Sequence, residues 1–197
     1  MKIYIDAGHG GKDPGAVAIA DRIGYSESRI ILPGALMLAG GLRLMDHDIV
    51  MSRYKDKYVS LYRRKVRANL SRSDLFVSIH CNAVSSESVT ARGLEVLYYP
   101  GASNVGRLLA EEMITTVKIK ALWMKIHGDG VAARKDLYVL RKTKMPAIII
   151  ELGFITDEQD RSSLLDISRL SELMSVIALT IGSRKTIGLL EENGNDE

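Results

Sequence analysis

The sequence predicts an α/β protein with a single-layer, mostly parallel mixed sheet of about six strands and helices on both faces. Short apolar runs bounded by turn residues alternate with segments of helical periodicity along nearly the whole chain, which is typical of that architecture. In addition, His9, His80 and Glu151 each lie at or just after the end of an apolar run. Ligands of open α/β sheets bind beyond the carboxyl ends of the strands, so we expect these three side chains to meet at one edge.

The strands are assigned to apolar runs that turn residues delimit. The fourth run follows the third after only about a dozen residues, which favours an antiparallel neighbour. The predicted strands are Lys2–Ile5, Asp48–Arg53, Leu75–His80, Leu94–Tyr99, Asp136–Leu140 and Ala147–Glu151.

Helical periodicity occupies the gaps between these strands. Pro33 disturbs the first helix, because proline inside a helix removes a hydrogen bond and costs about 3 kcal/mol. We expect that helix either to kink there or to begin near Leu32, which would leave Glu27 in the preceding loop. Residues 118–134 mix helical and loop features and receive no element. The predicted helices are Ser28–Met45, Leu61–Leu70, Asn104–Val117, Asp157–Asp166 and Ser168–Ile181.

Length and composition fit one domain. With 197 residues, 46% of them hydrophobic, the chain can bury a substantial core. We assign residues 1–187 to this domain and residues 188–197 to an acidic, flexible tail. The single cysteine, Cys81, rules out an internal disulfide and is compatible with synthesis in a reducing compartment. We find neither a secretory signal pattern nor an apolar stretch long enough to cross a membrane.

The charge pattern favours a polyanionic partner. The formal net charge is +3, and four acids lie within the last seven residues, so the rest of the chain is distinctly basic. Nucleic acid and a cell wall rich in anionic polymer are both compatible with such a surface. The basic residues are scattered, however, and a solvated basic surface without aromatic interleaving is the simpler interpretation.

His9 lies in a glycine-dense turn, Gly8-His9-Gly10-Gly11, where the backbone can bend sharply and approach a ligand. A phosphate-binding loop is excluded because the Gly-Lys-Ser/Thr ending is absent. Taken alone, His9 would be interpreted as a hydrogen-bonded turn residue.

His80 and Glu151 end two very apolar strands. Side chains alternate along a strand, so Cys81 points away from His80 and is expected to be a buried small residue rather than a ligand. Glu151 follows three consecutive isoleucines, where a carboxylate is costly unless it binds something. A structural ion pair is the alternative for Glu151.

Two histidines and a carboxylate, with one position left for water, are the ligands of a catalytic zinc site, and a further carboxylate serves as general base. The sequence has no HExxH motif, which excludes an ordinary zinc metalloprotease of that type. The remaining histidines, His47 and His127, are interpreted as surface residues, and His127 could lie near the cleft.

Four ordered segments extend over nearly the whole chain: IDAGHGGKDPGA, MSRYKDKYVSLYRRKVRAN, DLFVSIHCNA and LYVLRKTKMPAIIIELGFITD. In their order and separation, these segments resemble the zinc-dependent N-acetylmuramoyl-L-alanine amidases of the type 3 class. That family includes bacterial autolysins, sporulation amidases and the catalytic domains of phage endolysins.

The resemblance implies that His9, Glu27 and His80 are zinc ligands and that Glu151 is the catalytic acid/base. Family members usually follow the glutamate ligand with an uninterrupted helix, and Pro33 departs from that pattern. An exposed acid in the first turn of a helix is the alternative for Glu27.

The resemblance also implies the reaction, which is metal-assisted hydrolysis of the amide bond between N-acetylmuramic acid and L-alanine in peptidoglycan. In it, Glu151 would take a proton from water and return it to the leaving amine. Arg64 and Asn69 match the family's helix before the third strand, where structural hydrogen bonds are the simpler role. The alternatives are a zinc peptidase or deacylase on a related scaffold, and a non-catalytic wall-binding module.

Further expectations concern partners and location. We expect peptidoglycan as the partner, no nucleic acid, no membrane insertion and a monomer. Without a signal of its own, the enzyme would be made in the cytoplasm and reach the wall after lysis, through a holin-type or non-classical release. The segment Ala83–Gly93 is too short for the inhibitory helix that some family members carry, so an open, constitutively active cleft is expected.

Overall fold

A six-stranded sheet forms the centre of the protein, and its strand order places β1, β5 and β8 side by side. The computed structural model describes residues 1–85, 91–101 and 104–183. The strands of this part of the chain are β1 (Lys2–Ala7), β2 (Val17–Ala20), β3 (Ile23–Ser26), β4 (Asp48–Met51), β5 (Leu75–Asn82), β6 (Leu94–Tyr98), β7 (Ile126–Ala133) and β8 (Ala147–Phe154). The order across the sheet is β4-β1-β5-β8-β6-β7, and β2 and β3 form a separate hairpin.

The sheet is mostly parallel, as predicted. Strands β4, β1, β5 and β8 run in one direction, β6 runs antiparallel to β8, and β7 lies parallel to β6. The antiparallel direction of the fourth predicted strand is therefore confirmed, but its antiparallel neighbour is β8 and not the preceding strand β5, because β8 lies between β5 and β6. Because β1, β5 and β8 end at the same edge of the sheet, the residues at their carboxyl ends are brought together there.

Helices cover both faces of the sheet. Helices α1, α3, α5 and α6 pack on the face with the larger core, whereas α2 and α4 pack on the face with the smaller one. Tyr4 and Phe76 stack in the smaller core with ring centroids 5.7 Å apart. The helices are α1 (Glu27–Leu44), α2 (Leu61–Ser71), α3 (Val105–Lys120), α4 (Tyr138–Lys142), α5 (Glu158–Leu165) and α6 (Ile167–Ile181).

Helix α1 begins at Glu27 and continues through Pro33. The expectation of a start near Leu32, with Glu27 in a loop, is wrong. Ile30 and Ile31 are buried against the larger core ahead of the proline. Tertiary packing of these first turns offsets the loss of the hydrogen bond that proline cannot make.

The predicted strand Asp136–Leu140 is wrong, because the chain forms α4 there. Periodicity does not separate helix from strand in so short an apolar run, and Val139 and Leu140 reach the smaller core from a helix. The sixth strand of the sheet is instead β7, which comes from the stretch that received no element. Gly128 and Gly130 adopt positive φ in this edge strand, and its register with β6 shifts, so the alternation that marks a strand is missing.

Several expectations lie partly or wholly outside the described residues. The predicted acidic tail, residues 188–197, lies outside the described residues, and so does the middle of Ala83–Gly93. The division into a domain and a tail stays a prediction. Among the described helices, none combines the length and the hydropathy that a membrane crossing requires. Cys81 is buried, as expected.

Candidate metal centre

Three side chains from separate parts of the chain meet at the carboxyl edge of the parallel strands. His9 follows β1, Glu27 is the first residue of α1, and His80 lies near the end of β5. One possible ligand atom from each residue lies within 4.8 Å of the other two. The structure thus brings together the three residues that the sequence predicts as metal ligands.

The carboxylate of Glu27 lies between the two imidazoles. Its Oε2 atom is 3.2 Å from His9 Nε2, and its Oε1 atom is 2.8 Å from His80 Nδ1. The backbone amides of Ala16 and Cys81 donate to the same two oxygens at 2.9 and 3.1 Å. Glu27 is only 3% exposed, so its interpretation as an exposed first-turn acid is wrong.

These contacts shift the pKa of all three groups. Burial alone would favour the neutral carboxyl, but the hydrogen bonds from His80 and His9 hold the pKa of Glu27 well below its usual range. Burial likewise works against charged imidazoles, yet the carboxylate raises the pKa of both His9 and His80. Each oxygen of Glu27 is therefore a strong acceptor that faces an imidazole nitrogen.

Two glycines leave space for this group. A Cβ atom at Gly8 would lie 2.3 Å from Cε1 of His80. Gly15 adopts a φ of +69°, and a Cβ atom there would lie 2.5 Å from Oε2 of Glu27. Side chains at either position would displace a predicted ligand.

Asp13 fixes the ring of His9. Its Oδ1 atom is 2.9 Å from His9 Nδ1 and accepts a hydrogen bond from the amide of Gly15 at 3.1 Å. A carboxylate on one ring nitrogen leaves the other nitrogen for a metal, which is the usual arrangement around histidine ligands. In the sequence, Asp13 follows Gly11-Lys12 at the position where a phosphate-binding loop would have serine or threonine, and no other signal marks it.

Two buried arginines hold the backbone of the His9 turn. Arg53 donates to the carbonyl oxygens of Gly8 and Ala7 at 2.8 and 3.0 Å. Arg64 donates to the carbonyl oxygens of Ala7 and His9, both at 2.6 Å. The structural role expected for Arg64 is confirmed, whereas Arg53 has no signal in the sequence that separates it from other strand residues.

Arg64 also pairs with a buried carboxylate, that of Asp6. Burial would raise the pKa of Asp6, but the guanidinium outweighs it and lowers that pKa. Farther along α2, Asn69 bonds to the backbone of Lys142 and Lys144 and so joins α2 to the end of α4. Its role is structural too, as expected.

Glu151 lies next to the ligand group but in different surroundings. It is the register partner of His80 in β5 and of Glu95 in β6. Its Oε2 atom is buried and has no hydrogen-bond partner among the described residues. Burial, with smaller contributions from Glu27 and Glu95, raises the pKa of Glu151 to about 7, although His80 acts in the opposite direction. Such a carboxyl group can both accept and release a proton near neutral pH.

The two other histidines lie outside this group, and both are half-buried rather than on the surface. His47 packs beside Gly182. The ring of His127 lies 4.8 Å from that of Phe154, at the start of β7 and at the same edge of the sheet as the ligand group.

The donor set fits zinc. Two imidazole nitrogens and one carboxylate oxygen are the ligands of catalytic zinc sites, in which a fourth position stays open. Two further features agree with such a site. Asp13 is hydrogen-bonded to His9 and orients its ring, and Oε2 of Glu151 has no hydrogen-bond partner among the described residues.

Comparison with known proteins identifies the family. The sequence profile described as N-acetylmuramoyl-L-alanine amidase matches residues 3–183. The chain belongs to this family. The predicted relationship and the predicted enzyme class, an amidase, are thereby confirmed.

Individual relatives agree with the family profile. The amidase is similar to the N-acetylmuramoyl-L-alanine amidase CwlM of Bacillus licheniformis, with 33% identity over 170 residues that cover 83% of this chain and 60% of the relative. It is also similar to LytH of Staphylococcus aureus, a probable cell wall amidase, with 33% identity over 164 residues, 83% of this chain and 51% of the relative. The chain therefore spans 51% to 60% of the length of these two relatives.

A solved structure shows the same fold. The N-acetylmuramoyl-L-alanine amidase AmiC2 of Nostoc punctiforme superposes with a TM-score of 0.82 and 33% identity. The match covers 92% of this chain and 94% of AmiC2, so the predicted fold class is confirmed at the level of the whole domain.

Proposed function

We propose that this amidase hydrolyses the bond between N-acetylmuramic acid and L-alanine in peptidoglycan, with a zinc ion held by His9, Glu27 and His80. Glu151 is the catalytic acid/base in this proposal. One observation carries it: the buried, unpartnered oxygen of Glu151 lies beside three ligand-type atoms that are within 4.8 Å of one another.

Zinc, when bound, supplies Lewis-acid chemistry that polarises a carbonyl group and acidifies a water molecule. The chain provides for the metal in two ways. His9 and His80 would hold the ion as neutral imidazoles, and Glu27 would contribute the negative charge. Asp13 keeps the ring of His9 oriented through its Nδ1 atom.

Glu151 moves the proton. Its Oε2 atom accepts the proton of the attacking water and returns it to the nitrogen of L-alanine as the carbon–nitrogen bond breaks. In the metal-free chain, burial raises the pKa of this group to about 7, so it is neither a very weak base nor a very weak acid at neutral pH. The products are a free lactyl carboxylate on the glycan and a free amino terminus on the peptide.

The substrate proposal is supported by the family profile and by the names of the relatives, which include a cell wall amidase. A monomer, the absence of nucleic-acid binding, and release to the wall after lysis or by a non-classical route belong to the same proposal. A zinc peptidase or deacylase would use the same ligands, so product analysis is needed to separate these activities.

The decisive experiment is digestion of purified cell walls with and without a chelator, followed by identification of the new end groups. We expect new L-alanine amino termini and no new reducing sugars, loss of activity with the chelator, and recovery with added zinc. The Glu151→Gln variant is the matched control for contaminating hydrolases. New amino termini within the stem peptide would make the enzyme a peptidase, and full activity in metal-free protein would contradict the zinc mechanism.

A further inference from the structure

Exposed tyrosines and lysines form a surface beside the His9 turn. Most of them belong to the loop between β4 and α2 and to the start of α2, and we call the group the basic aromatic surface. The residues Tyr54, Tyr58 and Tyr62 are 71%, 40% and 64% exposed. The basic aromatic surface consists of the exposed residues Lys12, Tyr54, Lys57, Tyr58 and Tyr62 and of Lys65, which is half-buried.

Two lysine side chains of this surface lie over tyrosine rings. The Nζ atom of Lys12 lies 4.8 Å from the ring centre of Tyr58, and that of Lys65 lies 4.9 Å from the ring centre of Tyr62. The expectation of a basic surface without aromatic interleaving is therefore wrong here. Exposed aromatic rings flanked by cations are a combination that solubility alone does not require.

The surface adjoins the candidate metal centre through the backbone. The amide of Gly11 donates to Oδ1 of Asp56 at 2.7 Å. A Cβ atom at Gly10 would lie 2.5 Å from the carbonyl oxygen of Lys57, so the loop packs directly on the turn that carries His9. Asp56 is the one acid between residues 49 and 73, and the three lysines of the basic aromatic surface outnumber it, so the surface next to the site is positive.

We propose that the basic aromatic surface binds the glycan strand whose lactyl carboxylates the reaction has freed. This inference rests on the proposed function. Hydrolysis transfers the hydroxyl of water to the lactyl carbon and a proton to the leaving nitrogen, so each cleavage adds one carboxylate to the strand. The lysines pair with these carboxylates, and the tyrosine rings cover the apolar faces of the sugar rings.

The tyrosines favour this occupant over other polyanions of the wall. A poly(glycerol phosphate) chain would satisfy the lysines but has no sugar rings in its backbone to cover the tyrosines. A glycan with peptides still attached has no charge at the lactyl position, so its sugar rings could cover the tyrosines but the lysines would lack a carboxylate to pair with. A strand bound in this way stays next to the metal centre after cleavage, which favours successive cuts along the same strand.

The test measures binding of the intact, metal-loaded chain to purified glycan strands from which all peptides have been removed. Because such strands contain no scissile amide, their binding does not depend on catalysis, and its failure is distinguishable from failure of the proposed hydrolysis. We expect the combined change Lys12→Ser, Lys57→Ser and Lys65→Ser to weaken binding about tenfold. We expect a similar loss from Tyr54→Ala combined with Tyr62→Ala.

Two controls do not depend on the folding of these variants. Amidation of the lactyl carboxylates should weaken binding to the unaltered protein about tenfold, and so should an increase in ionic strength from about 0.05 to 0.5 M. The matched variant, Lys118→Ser with Lys120→Ser on α3, removes charge from the opposite face of the sheet and should bind like the parent.

The proposal is overturned if amidated strands bind as tightly as charged ones, or if the variants of the basic aromatic surface bind like the parent. Equal loss in the variant of Lys118 and Lys120 would show a general charge effect and would overturn it as well. Tighter binding of poly(glycerol phosphate) or of single-stranded DNA would assign the surface to a different polymer.

Discussion

Glu27 and Glu151 lie at the same edge of the sheet, yet their surroundings drive their carboxyl groups in opposite directions. Two imidazoles and two backbone amides face Glu27, and its pKa is well below the usual range. Burial and the nearby carboxylates of Glu27 and Glu95 outweigh the opposite effect of His80 on Glu151, whose pKa rises to about 7. Glu27 is thus held as a carboxylate, whereas Glu151 titrates near neutral pH. The difference comes from the partners that the fold supplies to each glutamate.

The largest expected effect follows from loss of the ligands. Glu27→Ala, His9→Ala and His80→Ala should each lose zinc and all measurable hydrolysis, because a catalytic site needs three protein ligands. The fold should persist, since the core of this domain does not depend on one ion. Metal analysis of purified protein, with circular dichroism, measures both results.

Two variants serve as controls for this comparison. His47→Ala and His127→Ala should keep about one zinc ion per chain, as in the parent protein. If Glu27→Ala binds zinc as tightly as the parent, the third ligand has been assigned to the wrong residue.

The second prediction separates the two glutamates. Glu151→Gln should retain zinc but lower the turnover of wall substrate by about 10² to 10⁴, because glutamine is nearly isosteric and cannot accept a proton. Turnover and metal content should be measured on the same preparation. Undiminished hydrolysis would remove Glu151 from the mechanism, whereas loss of zinc would make it a ligand.

The third prediction concerns the scaffold beneath the His9 turn. Arg64→Ala should lower the free energy of unfolding by about 3 to 5 kcal/mol, because it leaves the Asp6 carboxylate buried without its cation and releases two backbone carbonyls. Urea denaturation measures the change. The neighbouring exposed Arg63→Ala should alter it by less than about 0.5 kcal/mol, and equal losses in both variants would contradict the role of Arg64.

The smallest effect is a pH dependence of stability. In metal-free protein, burial raises the pKa of Glu151 from 4.5 to about 7, so its contribution to stability is complete below about pH 4.5 and is lost as the pH rises through about 7. Glutamine does not ionise, and Glu151→Gln should therefore be more stable than the parent by up to about 3 kcal/mol above pH 7. Thermal or urea unfolding across this range should show the gain disappear toward pH 4.5. A gain that does not change with pH would show that Glu151 is not a buried, ionising group.

The central strands could be predicted because each is a short, continuous apolar run between turn residues. His80 near the end of β5 and Glu151 after three isoleucines of β8 could be singled out as candidates, because each stands out against apolar neighbours. The edge strand β7 received no assignment, and the region of helix α4 was predicted wrongly as a strand. In β7 two glycines and a register shift remove the alternation, and its pairing with β6 is a contact between distant residues.

The amino-acid sequence by itself determined the architecture and singled out His9, His80 and Glu151, because chemistry-bearing side chains at strand ends form a local pattern. The resemblance of four ordered segments to known amidases added the family and Glu27. Only the tertiary structure decided how those residues are held. Arg53 and Asp13 act on the His9 turn through contacts that no periodicity records, and Glu27 opens its helix because buried isoleucines outweigh Pro33. The opposite pKa shifts of the two glutamates likewise depend on burial and on partners from distant segments, which exist only once the chain has folded.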